Sequence, residues 1–153
     1  MLGQAQYLVP FEMQDQFDVL HSSQDVSGQG TVIIVSDREG SKHSENWGRA
    51  IKAIASELAV SKNISILAVA HIQSVPSFLR SFVRKLIKRD RTDPVLLDWN
   101  GQFNRSYGVK PSLVNVLVFS TEGKLLLHIA DSTIKHTTLE SIKICLNGLT
   151  ICE

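Results

Sequence analysis

Residues 31–35 read Thr-Val-Ile-Ile-Val and lead into a polar segment, Ser-Asp-Arg-Glu-Gly-Ser-Lys-His-Ser, at residues 36–44. An unbroken β-branched run of this length is typical of a strand that is buried on both faces in a parallel sheet. We expect the polar segment to form a turn and Ser44 to cap a helix. The apolar residues that follow recur at helical spacing: Trp47, Ala50, Ile51, Ile54, Ala55 and Leu58. This stretch therefore predicts a core strand followed by a helix that packs on the sheet.

The same alternation continues toward the C-terminus. Residues 64–70 predict a second buried strand, after which Ser74 and Pro76 open a helix. We expect the apolar side of that helix to face the core, and it consists of Leu79, Phe82, Val83, Leu86 and Ile87. Strand, helix, strand, helix predicts right-handed parallel crossovers.

The remaining segments complete an α/β architecture. Residues 7–21 predict a short irregular hairpin at a sheet edge, and residues 95–97 predict a brief strand. A short helix carrying Phe103 and Tyr107 comes next, and residues 114–129 predict an antiparallel hairpin. A final helix is expected to start at a capping box of Thr137 and Glu140 and to stop at Gly148. The predicted order is β-hairpin, β, α, β, α, β, α, β, β, α, with a central mixed sheet and flanking helices.

Composition narrows the functional classes. The 153 residues are 43% apolar and 20% charged, which predicts one folded domain spanning residues 1–153. A net charge of +1 supplies no global attraction to nucleic acid or to an anionic membrane, and the apolar runs are too short to span a bilayer. The first 20 residues carry three acids and do not resemble an export signal. We therefore expect a cytoplasmic protein, or a periplasmic one if such a signal has been removed.

Several short motifs resemble a known superfamily. Residues 11–17, Phe-Glu-Met-Gln-Asp-Gln-Phe, resemble the opening hairpin of redoxins. Val-Leu-Leu-Asp at 95–98, Asn-Gly at 100–101 and Tyr-Gly-Val at 107–109 resemble the segment before the last redoxin hairpin, and residues 116–124 resemble its strand and turn. With the element order, these motifs resemble the thioredoxin-like fold in its redoxin branch, which includes the AhpC/TSA-type peroxidases.

The resemblance implies a redox cysteine just after the first core strand, where a helix N-terminus stabilises a thiolate. Residues 36–44 contain no cysteine, and the hydroxyl of Ser41 is not a redox group. The family also places a cis-proline or an arginine at the entrance to the penultimate strand. Here that entrance reads Leu-Val-Asn at 113–115, and Pro111 comes too early. The pattern is similar to cysteine-free proteins of the YtfJ type.

Two functions follow from this resemblance. The first is a non-catalytic binding or interaction domain of undefined role, without a cofactor. The alternative is a thiol oxidoreductase or peroxidase-related antioxidant protein that uses Cys145 and Cys152, the two cysteines of the chain. Cys145 is expected on the apolar side of the last helix, as an inert core thiol, and Cys152 could be a resolving thiol only if the C-terminal tail reaches back.

Two other groups of residues are candidates for binding. The vacated redox-site loop offers Asp37, Arg38, Ser41, Lys42 and His43, which could bind an anion at the helix start or a protein partner. A hydrolase built from Ser41, His43 and Asp37 would need unusual convergence of neighbouring side chains.

A basic patch on the second helix comprises Arg80, Arg84, Lys85 and Lys88, with Arg89 and Arg91 nearby. We expect it to be a solvated face or to bind an acidic protein, and no nucleic acid, because no aromatic ring is expected to point outward from it. The five histidines are scattered without ligand spacing, so we expect no metal site.

Overall fold

Strands and helices follow one another in the predicted order. The computed structural model describes residues 6–58 and 63–148. The strands are β1 (Glu12–Gln14), β2 (Leu20–Ser22), β3 (Gly30–Ser36), β4 (Ile64–His71), β5 (Val95–Asp98), β6 (Val114–Phe119) and β7 (Leu125–Asp131). The helices are α1 (Ser41–Ser56), α2 (Arg80–Asp90), α3 (Gln102–Tyr107) and α4 (His136–Asn147), and short 3-10 turns span Ser23–Val26 and Ser77–Leu79.

The main sheet has five strands in the order β5-β4-β3-β6-β7. Strand β3 pairs in parallel with β4, and β4 pairs in parallel with β5, whereas β6 pairs antiparallel with both β3 and β7. All seven residues of the central strand β3 are buried, which confirms the prediction from its β-branched run. Strands β1 and β2 form a separate hairpin, which meets the main sheet through an antiparallel bridge between Asp15 and Leu96.

Each face of the main sheet has its own apolar core. On one face Val32 and Ile34 pack with Trp47 and Ile51 of α1 and with Leu146 of α4. The opposite face is covered by aromatic side chains from the N-terminal hairpin and α3. Their ring centroids lie 5.5 Å apart for Phe11 and Phe103, 6.0 Å for Phe103 and Tyr107, and 5.5 Å for Tyr107 and Phe119. Burial of these large side chains on both faces fixes β3 at the centre of the fold.

The starts of two helices differ from the sequence prediction. Helix α1 begins at Ser41 with Gly40 as its N-cap, so Ser44 is not the cap but a buried residue in the first turn. The helix starts earlier because the Asp37 carbonyl already accepts the Ser41 N–H. Helix α4 has Lys135 at its N-cap, with no side-chain hydrogen bond there, so the predicted capping box is wrong, whereas Gly148 does end the helix.

The burial predicted for two elements is also corrected. Leu79 and Phe82 are exposed, because Val83, Leu86 and Ile87 occupy the inner side of α2 and Leu79 belongs to the preceding 3-10 turn. Strand β4 is only partly buried, with Val69 as its one fully buried residue. The short strand β5 pairs only with residues 68–71 of β4, so the first half of β4 has no strand on that side.

Candidate functional site

Three backbone segments meet at the carboxyl end of β3. They are the turn at residues 37–40, the first turn of α1 and the loop at residues 110–113; we refer to this junction as the corner. Gly40 and Leu113 approach so closely that a Cβ built on Gly40 would lie 2.5 Å from the Leu113 carbonyl oxygen. Any side chain at position 40 would therefore force the two segments apart.

The Asp37 carboxylate holds the corner together. Its Oδ1 accepts a hydrogen bond from the Gly40 N–H at 2.9 Å, and its Oδ2 accepts one from the Ser112 N–H at 2.8 Å. Ser112 has a positive φ of 67°, which is uncommon for a residue other than glycine. One side chain therefore connects the helix start to a loop 75 positions further along the chain. Hydrogen bonds to an ionised acceptor are the stronger kind, so this connection contributes to the order of both segments.

Ser41 and Ser44 occupy the first turn of α1. The Ser41 side chain is exposed, and its Oγ donates a hydrogen bond to the Arg38 carbonyl at 2.7 Å, whereas Ser44 is 4% exposed. The two serines have the spacing of a Cys-x-x-Cys motif, with an outer and an inner position at a helix N-terminus. Sequence reasoning considered Ser41 alone and assigned Ser44 to a cap; the three-residue spacing was the signal that could have connected them.

The five predicted residues of the vacated redox-site loop all lie between positions 37 and 43. The hydrogen bonds of Asp37 and Ser41 do not form a catalytic relay with His43. Lys42 forms an ion pair with Glu39 at 3.7 Å, and both are largely exposed. The Asp37 carboxylate accepts hydrogen bonds from backbone N–H groups, and the Ser41 hydroxyl donates to a backbone carbonyl. The partner in each of these hydrogen bonds is a backbone group and not the His43 ring. The His43 N–H donates to the Gly40 carbonyl. This arrangement does not activate Ser41 as a nucleophile.

The same hydrogen bonds bear on anion binding at the start of α1. The N–H groups of Gly40, Ser41 and His43 donate to Asp37 Oδ1, to the Asp37 carbonyl and to the Gly40 carbonyl, respectively. Those donors are the ones that a bound anion would use, and a carboxylate already accepts one of them. Binding at this end would therefore depend on the side chains of Arg38 and Lys42.

Asn115, which the sequence analysis placed at the entrance to the penultimate strand, fixes the other side of the corner. It is fully buried; its Oδ1 accepts the Lys110 N–H at 2.9 Å, and its Nδ2 donates to the Lys110 carbonyl at 3.0 Å. The His128 Nε2 lies 3.1 Å from the same Oδ1 and is therefore the donor. Burial, with a smaller contribution from the Lys110 charge, lowers the pKa of His128 below its usual value.

Solved structures with the same architecture identify the fold. The chain superposes on the pneumococcal exposed lipoprotein thioredoxin Etrx1 of Streptococcus pneumoniae with a TM-score of 0.66 and 19% identity, covering 89% of this chain and 99% of that one. StoA of Bacillus subtilis gives a TM-score of 0.63 with 17% identity, covering 92% and 98% of the two chains. The chain has a thioredoxin-like fold. Peroxidoxin BcpB of Mycobacterium tuberculosis gives a TM-score of 0.61 with 15% identity and covers 97% of this chain and 99% of that one.

The thioredoxin-like fold is shown by structure and not by sequence. No protein-family model matches the chain, and no curated protein matches it in sequence. At identities below 20% the superpositions establish the architecture, the central mixed sheet with flanking helices that the sequence predicted, and they assign no activity.

The candidate thiols lie in and beyond the last helix of the thioredoxin-like fold. Cys145 is 3% exposed and belongs to the apolar core that α1 and α4 share with the sheet. This burial confirms the expectation of a core thiol on the apolar side of the helix. Cys152, the candidate resolving thiol of the alternative function, lies outside the described residues.

The basic patch on α2 is only partly available to a partner. The Arg80 guanidinium stacks over the Trp99 ring at 5.2 Å, and the Arg84 Nε lies 3.5 Å from the Asp18 carboxylate. Lys85 and Lys88 are exposed. The expectation that no aromatic ring points outward from this helix is wrong, because Phe78 and Phe82 are 81% and 59% exposed.

Neither a metal centre nor a membrane span emerges from the described parts of the chain. Within residues 6–58 and 63–148, no three histidine, cysteine or acidic side chains gather as ligands for a metal ion. Over the same residues, no helix has the length and apolar character that crossing a membrane requires.

Proposed function

We propose that this chain is a redoxin-like thioredoxin-fold domain that has lost its thiol chemistry and works by binding. The observation that carries the proposal is the composition of the corner. Residues 36–44 and 110–115 contain no cysteine, and the polar groups of Asp37, Ser41 and Asn115 are engaged in hydrogen bonds within the corner itself. The cysteine-free pattern supports a place near the YtfJ-type branch.

Serine at the two helix positions does not restore the missing chemistry. Thiol–disulfide exchange requires a thiolate that attacks a disulfide sulfur, and a hydroxyl neither ionises at neutral pH nor forms such a bond. The Ser41 hydroxyl also lacks an activating base, because its proton points at the Arg38 carbonyl. The proposed loss of activity thus follows from chemistry at these positions and requires no distortion of the fold.

What remains at the corner is an ordered, charged surface suited to a protein partner. Arg38 is exposed on the turn that the Asp37 carboxylate stabilises by hydrogen bonds, and Lys42 is exposed in the first turn of α1. A preorganised surface binds with a smaller entropic cost than a mobile loop, and residues 36–44, with two cations and two acids, offer charges of both signs to a partner. We propose this surface as the contact that replaced catalysis.

The experiment compares thiol turnover by two forms of the protein. Disulfide reduction of insulin and consumption of hydrogen peroxide are measured for the wild type and for the Cys145→Ser/Cys152→Ser double variant, with dithiothreitol as reductant. We expect both proteins to match the protein-free rate. Turnover by the wild type that disappears in the double variant would instead establish an oxidoreductase that uses the C-terminal thiols, after opening of the core around Cys145.

A further inference from the structure

Two exposed phenylalanine side chains lie near the start of α2, Phe78 in the preceding 3-10 turn and Phe82 in the helix itself. Phe78 is 81% exposed and Phe82 is 59% exposed, whereas Val83, Leu86 and Ile87 of the same helix are partly buried. They lie four positions apart across the junction of the turn and the helix, so both rings are exposed at the same end of α2. Exposure of single apolar residues is ordinary, but two exposed aromatic rings at the same helix end form an apolar surface patch.

Two exposed cations lie on the same face of α2 as Phe82. Lys85 and Arg89 follow Phe82 at positions i+3 and i+7, and both are exposed. We refer to Phe78, Phe82, Lys85 and Arg89 as the outer stripe. Arg89 also pairs with the neighbouring Asp90 at 2.9 Å, an exposed contact that competes weakly with other anions.

The positive charge of the chain is concentrated in the segment that contains this stripe. Residues 77–90 contain five basic residues and one acidic residue, a net charge of +4. Because the whole chain carries +1, the remaining residues together carry −3. A negatively charged plane would therefore attract the α2 side and repel the rest, which orients the molecule with the outer stripe toward that plane.

We propose that the outer stripe docks on an anionic lipid surface, with the two phenylalanine rings in the interfacial layer and the cations among the headgroups. Aromatic rings beside lysine and arginine on one helix face are typical of helices that lie on membranes. The half-buried Trp99, beneath Arg80 at 5.2 Å, places a third aromatic ring at the same end of α2.

A planar surface fits this geometry better than a folded partner or a nucleic acid. Rings that protrude from a convex helix need no shaped counterpart in lipid, whereas a protein must offer a matching pocket and a single strand is usually bound in a groove. The interaction does not depend on the chemistry of the corner, so the outcome of the thiol assays leaves it unchanged.

Co-sedimentation with vesicles tests the proposal. We expect the wild type to pellet with phosphatidylcholine vesicles that contain phosphatidylserine, weakly with pure phosphatidylcholine, and less as salt rises. Phe78→Ser/Phe82→Ser should lower the partition coefficient by about tenfold, and Lys85→Gln/Arg89→Gln by roughly fivefold for each charge removed.

Matched controls separate the stripe from general effects. Leu20→Ser/Ile144→Ser removes two apolar side chains that are 57% and 67% exposed elsewhere, and Arg49→Gln/Lys52→Gln removes two exposed cations of α1. Both controls should sediment like the wild type. The proposal is overturned if the wild type does not bind vesicles or if control and stripe variants lose binding equally. Binding of a single-stranded oligonucleotide without vesicle binding would also overturn it.

Discussion

Replacement of Gly40 by alanine should destabilise the protein, although glycine-to-alanine changes in helices normally do the opposite. The backbone of Gly40 is already helical, with φ of −72°, so alanine meets no conformational barrier there. The barrier is spatial, because the new Cβ would lie 2.5 Å from the Leu113 carbonyl oxygen and 2.9 Å from its carbon. Ordinary contact requires the two backbone segments to separate by about 1 Å.

That separation has a calculable cost. Moving Leu113 by about 1 Å stretches the adjacent 2.8 Å hydrogen bond between Ser112 N–H and Asp37 beyond bonding distance. Overpacking costs about 1–3 kcal/mol, and the entropic advantage of alanine over glycine returns about 0.4–1 kcal/mol. With about 1 kcal/mol more for the lost hydrogen bond, we expect a net loss of roughly 2 kcal/mol in the free energy of unfolding, which for a chain of this size lowers Tm by about 4–8 °C.

Gly48 supplies the matched control within the same helix. A Cβ built there meets only the Ile34 Cδ1 at 4.0 Å, so Gly48→Ala should stabilise the protein by about 0.5–1 kcal/mol and raise Tm. Thermal unfolding followed by circular dichroism measures both variants. Opposite shifts in Tm support the close approach at the corner, whereas a Gly40→Ala variant as stable as Gly48→Ala would refute it.

Two further perturbations address the hydrogen bonds of the corner. Asp37→Ala removes the acceptor of the Gly40 and Ser112 N–H groups and should lower the free energy of unfolding by about 2 kcal/mol. Hydrogen exchange should accelerate at these two amides. Unchanged protection there would contradict the role assigned to the carboxylate. Because the pKa of His128 is lowered, the folded state favours the neutral ring, so the free energy of unfolding should fall as pH decreases below the usual histidine value of 6.5. His128→Gln, which can still donate to Asn115, should flatten that dependence in urea titrations between about pH 7.5 and about pH 5; an equally steep variant would exclude His128 as the titrating group.

The order of the elements could be predicted because local patterns determine it. The β-branched run at residues 31–35 has no helical period, and the apolar residues from Trp47 to Leu58 recur at helical spacing, so strand and helix are distinguished within a few positions. The two hairpins follow from short turns between apolar segments. These signals are local, and they gave the correct sequence of strands and helices.

The corner could be predicted only in part, because its contacts join distant segments. Asp37 and Ser112 are 75 positions apart, and no local pattern indicates that they share a hydrogen bond. Asn115 stands in an apolar strand, where a single polar residue does not reveal that it binds both Lys110 and His128. The absence of cysteine needed only the sequence, whereas the hydrogen bonds that fill the corner needed the tertiary structure.

The outward face of α2 was predicted wrongly for a related reason. Five apolar residues at helical spacing suggested one buried face, but the 3-10 turn before the helix changes the register of Leu79. Val83, Leu86 and Ile87 are partly buried, and Phe82 is left in solvent. Hydrophobic spacing identifies the helix but does not determine how wide a stripe its neighbours can cover.

Insulin reduction by a Ser41→Cys/Ser44→Cys variant, compared with the wild type, tests the central claim most directly. If these serines stand where the fold carries out thiol exchange, sulfur at both positions should form an intramolecular disulfide and accelerate reduction, while the wild type stays at the protein-free rate. A folded variant that is no faster than dithiothreitol alone, or a wild type that already turns over, would contradict the claim.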